Sequence, residues 1–203
     1  MTARAALAAR RLTMPLLALA GLLFASCTGH RWHGTDVSGS VPALQFTMQR
    51  ANDGRTVTAA DYRGRLVLLY FGYTNCPDVC PMTLGNVGQV LRKLGPAAQQ
   101  VRVLFVTVDP VRDTLPVLKT YVAAFAPEVD GLRGDANQLT ALARRYRVAY
   151  SVRPAKGDQP YEVTHSSAIY VFDRAGKARL LLSSLSTDQP DIAGTAADLK
   201  ALL

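Results

Sequence analysis

The chain has 203 residues, enough for one domain with a substantial core and small for two. Hydrophobic residues make up 49% and charged residues 19%, a balance that excludes wholesale disorder. The formal net charge is +8, but no basic cluster with interleaved aromatics occurs, so a nucleic-acid partner is set aside.

Residues 1–26 read as a signal peptide of the lipoprotein type. Arg4, Arg10 and Arg11 precede an apolar stretch of twelve residues, Met14 to Ala25. That length suits the core of a signal peptide and is too short for a spanning helix of about twenty residues. The stretch ends in Phe24-Ala25-Ser26-Cys27, which resembles a bacterial lipobox with Phe24 in place of the usual leucine. Cleavage before Cys27 and lipidation of its thiol are the expectation. Beyond residue 26, 20 basic residues face 15 acidic ones, so the mature chain is moderately basic. Residues 27–40 are small, polar and glycine-rich and read as a flexible tether in which His30 and His33 are solvated.

The folded domain is expected over residues 41–203. Leu44–Gln49 and Thr56–Thr58 form a hairpin around Asn52-Asp53-Gly54, a short turn follows at Ala59–Arg63, and Arg65–Phe71 is a strand apolar on both faces. A helix over Met82–Leu94 carries Leu84, Val87, Leu91 and Leu94 on one stripe and stops at Gly95-Pro96. Val101–Val108 is a second continuous apolar strand, so strand, crossover helix and strand make a right-handed parallel unit.

Asp113 or Thr114 caps the next helix, with Val117, Leu118, Tyr121, Val122 and Phe125 as its apolar positions. A short edge strand at Gly131–Gly134 and a helix over Ala136–Tyr146 follow. Strand fragments at Ala149–Val152 and Tyr161–Val163 flank a polar loop around Pro154–Pro160. A hairpin pairs Ala168–Phe172 with Arg179–Leu182, and a last helix runs from Pro190 to Leu202. The class is α/β: a thioredoxin-like fold with a central mixed sheet, flanking helices and an N-terminal β-hairpin extension.

The chemistry gathers at Asn75-Cys76-Pro77-Asp78-Val79-Cys80-Pro81, where the first central strand gives way to a helix. Two cysteines four apart close too short a loop to restrict the unfolded chain much, so a purely structural disulfide explains little. The N–H groups and dipole of a helix start favour thiolate, which serves a nucleophile and a metal ligand equally. His165 is the one histidine inside residues 41–203, and it precedes the strand Ala168–Phe172. In a thioredoxin fold that loop lies beside the thiol turn and usually carries a proline; here it reads Val163-Thr164-His165-Ser166-Ser167. Two thiolates and one imidazole suit copper as Cu(I) or Cu(II), with zinc holding a water as the second choice.

Tyr70 to Pro81, the run Val108-Asp109-Pro110-Val111-Arg112-Asp113-Thr114, and Thr164-His165-Ser166 together resemble the Sco/SenC family. The resemblance covers about residues 43–203. It implies a membrane-tethered, thioredoxin-like copper protein on the extracytoplasmic (periplasmic) face, with Cys76, Cys80 and His165 as copper ligands. The implied partner is the copper-bearing subunit of cytochrome c oxidase, with other periplasmic copper carriers or thiol reductants as further contacts. Asn75 and Val111 depart from residues common in the family, and Asp109 and Asp113 are read as shaping and capping their loop. The alternative function is an extracytoplasmic thiol–disulfide oxidoreductase in which Cys76 attacks and Cys80 resolves.

Overall fold

A computed structural model describes residues 30–153 and 161–203. The expected signal peptide, Cys27 and the loop 154–160 lie outside the described residues. Two strands set the frame: β4 (Leu66–Gly72) is buried at every position and runs parallel to β5 (Val101–Thr107), from Leu66 opposite Val101 to Gly72 opposite Thr107. β6 (Val129–Arg133) continues the parallel set beside β5. On the other side of β4, β9 (Ile169–Phe172) and β10 (Ala178–Leu182) pair antiparallel. The sheet is therefore mixed, as the sequence implies.

Side-chain alternation divides the core in two. Leu66, Leu68 and Tyr70 pack with Leu84, Val87, Leu118, Val122 and Leu199, which lie on α1 (Val79–Leu94), α2 (Leu115–Ala123) and α4 (Ile192–Leu202). Val67, Leu69 and Phe71 face the other way. They pack with Tyr62 and with Leu139 and Leu142 of α3 (Ala136–Arg145). Both faces of the central strand are covered, which is why its sequence is apolar without alternation.

The hairpin extension is present as β2 (Thr47–Arg50) and β3 (Thr56–Thr58). Gly54 closes its turn at φ +75°, a conformation open to glycine and strained for most other residues. The hairpin adds to β6 through Gln49 opposite Arg133 and Arg50 opposite Leu132. β6 is thus an interior strand and not the edge the sequence suggests. The pairing that covers it comes from residues some 80 positions earlier, which no local pattern announces.

The tether expected at 27–40 is shorter than its composition indicates. β1 (Thr35–Asp36) pairs with Leu180 and Leu181 of β10, and the His33 and Gly34 N–H groups donate to the Asp198 carboxylate at 2.9 and 2.8 Å. His33 Nδ1 lies 2.9 Å from Asp191 Oδ2, so its ring is engaged by a carboxylate. The backbone of the segment is docked through these bonds to the buried Asp198, while most of its side chains, His33 included, remain exposed. Asp191 also caps α4 by accepting from the Gly194 N–H at 2.8 Å, so that helix starts at Ile192 and Pro190 stands before it.

Candidate metal centre

Three elements bring the donor atoms together. α1 starts at Val79, earlier than the apolar stripe suggests, so Cys80 and Pro81 lie inside its first turn. A first-turn N–H has no intrahelical partner, and proline's lack of one costs nothing there. Cys76 sits in the turn before it, half-buried, while Cys80 is fully buried. His165 ends β8 (Glu162–His165), which pairs with β7 (Tyr150–Arg153) in register His165 opposite Tyr150. The two Sγ atoms and an imidazole nitrogen all lie within 4.8 Å of one another. Among the described residues no fourth cysteine, histidine or carboxylate joins them.

The imidazole is held in the tautomer a ligand needs. Its Nδ1 is 2.9 Å from the Ser166 carbonyl, which can only accept, so Nδ1 carries the proton. Nε2 is left with a bare lone pair 3.2 Å from Cys80 Sγ. Burial holds the His165 pKa below the usual histidine value, which keeps the ring neutral. Tyr73 stands edge-on to the ring with centroids 5.8 Å apart and limits its rotation.

The two sulfurs are not equivalent. The helix start delivers its N–H to Cys76: the Cys80 N–H donates to Cys76 Sγ at 3.4 Å. Cys80 itself has its thiol pushed up to about 12 by burial. The expected thiolate preference at Cys80 therefore does not hold in the metal-free protein, because desolvation of a fully enclosed sulfur outweighs the helix dipole. Close packing enforces that enclosure. A Cβ on Gly72 would stand 2.5 Å from Phe105 Cε2 and 3.0 Å from Cys80 Sγ.

Of the two aspartates of the loop after β5, Asp109 shapes the loop as expected, while Asp113 does not cap the helix. Thr114 occupies the cap position of α2 without a side-chain hydrogen bond. Asp113, completely buried, turns inward and accepts from the Thr74 N–H (3.0 Å), the Thr74 hydroxyl (2.6 Å) and the Thr107 hydroxyl (2.5 Å). It ties the cysteine turn to the end of β5. Asp109 pairs with Arg112 Nε and accepts from the Tyr161 hydroxyl at 2.7 Å. Arg112 in turn lies over the Tyr161 ring, 3.9 Å from its centroid. Tyr161 is four residues before His165, so this cluster fastens the strand that carries the third donor. Sequence reasoning missed Thr74, Thr107 and Tyr161, whose partners are 39, 6 and 52 residues away. Asp78 and Asn75 are exposed on the turn, and Val111 is exposed in the loop.

A thioredoxin-like domain that presents a buried thiol, a half-buried thiol and a neutral imidazole around one point is a protein built to hold a soft metal ion or exchange disulfides. Residues 42–201 match the family model SCO1/SenC, and the chain belongs to that family. It is 48% identical over 125 residues to the mitochondrial SCO2 homolog of Bos taurus, covering 61% of this chain and 47% of the relative. The chain thus spans about half the length of that relative. Bradyrhizobium japonicum ScoI, solved with copper bound, is 37% identical with a TM-score of 0.69, covering 79% of this chain and 99% of that one. Yeast Sco1 with copper bound is 30% identical with a TM-score of 0.69, covering 80% and 91%.

Proposed function

We propose that this domain is a copper chaperone that holds the ion on Cys76 Sγ, Cys80 Sγ and His165 Nε2 and delivers it to the copper-bearing subunit of cytochrome c oxidase. The observation that carries the reading is the convergence of the three donors within 4.8 Å, with Nε2 left bare by the Nδ1–Ser166 hydrogen bond. Two sulfurs and one nitrogen suit Cu(I), which accepts three ligands, and a donor set with no fourth protein ligand among the described residues leaves room for an incoming one. Transfer is a ligand exchange: a recipient thiolate or imidazole enters, and Cys76, the more accessible sulfur, is the first to leave.

The arginines before the apolar stretch and the sequence ending in Cys27 support export and lipid anchoring at that cysteine, with residues 41–203 as the working domain on the extracytoplasmic face. Among the described residues no helix is long and apolar enough to cross a membrane.

The test is a competition titration of the reduced full chain with Cu(I) and Cu(II), in wild type and His165→Ala. Copper binding that weakens in the variant is the expected result; unchanged affinity, or none in the wild type, overturns the reading.

The asymmetry of the thiols favours one second reading, disulfide reduction. The Cys76 thiolate would attack a partner disulfide and release one partner thiolate. Cys80 would pass its proton to His165 Nε2, 3.2 Å away, and attack Cys76 Sγ, closing the Cys76–Cys80 disulfide and freeing the second thiol. Two electrons move from this chain to the partner. Disulfide turnover by the metal-free wild type that slows in His165→Ala and is lost in Cys76→Ser is the expected result of this reading; a wild type without turnover overturns it.

A further inference from the structure

The residue just beyond the C-terminal cap of α3 is in an unusual conformation for its type. Arg147 has φ +53°, the one non-glycine residue with positive φ among those described. It follows the Tyr146 cap in the position where helices favour glycine. The surrounding hydrogen bonds leave the backbone no freedom: the Val148 N–H donates to the Ala143 carbonyl at 2.8 Å and the Arg147 N–H to the Arg144 carbonyl at 3.2 Å. A glycine would meet this geometry without strain. A cation at a helix C-terminus is favourable, but Arg144 and Arg145 already occupy the last turn.

What the arginine adds is charge at one place. Arg144 and Arg147 are exposed and line an open groove of about 480 Å³ floored by Val148 and Ala149. Neither side chain makes a hydrogen bond or ion pair among the described residues, whereas Arg145 is spent on the Ala43 carbonyl. The groove shares Ala149 and Tyr150 with a second one of about 320 Å³, whose far wall is Thr164 and His165. A cationic, concave surface therefore runs from the end of α3 to a metal donor.

We propose that this groove docks an acidic segment of the protein that receives the metal. The partner's identity rests on the chaperone reading; the groove's preference for an acidic peptide does not. An anionic membrane is the competing occupant, but seating the groove on lipid would press His165 against the bilayer and close the route of transfer. Carboxylates on Arg144 and Arg147 would bring the rest of the partner over Tyr150 to His165. Backbone strain at Arg147 is retained because the charge serves binding and not the fold.

The test uses the full chain in zwitterionic detergent with fluorescein-labelled hexaglutamate, read by anisotropy, and hexaglutamine as the neutral control. Hexaglutamate should bind with an affinity that falls as salt rises, moving the backbone amide resonances of Thr140, Arg147, Ala149 and Thr164. Arg144→Gln with Arg147→Gln should weaken it about tenfold while leaving Cu(I) affinity intact. Arg147→Gly should raise the melting temperature by about 2–4 °C yet lose peptide affinity. The proposal is overturned by equal binding to the double variant, by shifts elsewhere on the surface, or by a lower melting temperature in Arg147→Gly. It is also overturned if micelles doped with phosphatidylglycerol move these amides and the peptide does not. Absence of Cu(I) binding in the wild type would remove the chaperone reading alone.

Discussion

His165 Nε2 stands 3.2 Å from Cys80 Sγ, and the proton that could have blocked it is held on Nδ1 by the Ser166 carbonyl. The pair is a thiol donating to a neutral imidazole, so an arriving ion displaces a proton, not a positive charge. Cys80's thiol, pushed up to about 12, is protonated throughout the neutral range. Cu(I) binding must therefore release at least that proton, and apparent affinity should rise with pH by about tenfold per unit for each proton displaced. Calorimetric titrations in two buffers of different ionisation enthalpy count the protons. A pH-independent affinity between pH 6 and 8 would contradict the assignment.

The same shift has a consequence for the apo fold. Cys80's folded pKa lies above the ordinary thiol value of 9.0, so the unfolded chain ionises first as pH rises. Its contribution to stability is present below pH 9 and is lost between pH 9 and about 12. The stability difference between wild type and Cys80→Ala should shrink across that window in urea melts.

Asp113 should matter more to the site than its distance from the sulfurs implies. Asp113→Ala strands the Thr74 and Thr107 donors and should cost about 3 kcal/mol. For a domain of this size that lowers the melting temperature by about 6–12 °C. Thr107→Ala, which loses its donation to Asp113 and the Asp109 N–H that it accepts, should cost about 1–2 kcal/mol. Thermal denaturation of the reduced protein ranks the two; equal effects would mean that Asp113 is not the hub of that turn.

Gly72 is required by close approach. Gly72→Ala places a methyl 2.5 Å from Phe105 and 3.0 Å from Cys80 Sγ, and should cost about 1–3 kcal/mol while weakening Cu(I) binding. Weakened folding with unaltered metal affinity would show that the sulfur is not displaced.

Tyr161→Phe removes the hydroxyl donated to Asp109 and keeps the ring beneath Arg112. Amide exchange should accelerate in Val163–His165 and remain unchanged in β9, with about 1 kcal/mol lost overall. Uniform acceleration across the sheet would assign Tyr161 to general stability instead of to the strand that bears His165.

Local pattern carried most of the architecture. The unbroken apolar runs of β4 and β5, the stripe Leu84–Val87–Leu91 and the Asn52-Asp53-Gly54 turn are each set by neighbours a few residues away, so they are legible in the chain itself. The three donors were legible too, because thiols and imidazoles are few and their chemistry is specific. Pairings between distant polar groups were not. The place of β6, the docking of residues 33–36 onto β10 and Asp198, and the burial that overrides the helix dipole at Cys80 all depend on which segments fold against one another. Sequence by itself determined which atoms could hold a metal at the end of β4. Only the tertiary structure decided their protonation, since desolvation and hydrogen bonding are properties of the packed site: Cys80 enclosed beneath Gly72, Nδ1 of His165 tied to Ser166, and Nε2 left open to the ion.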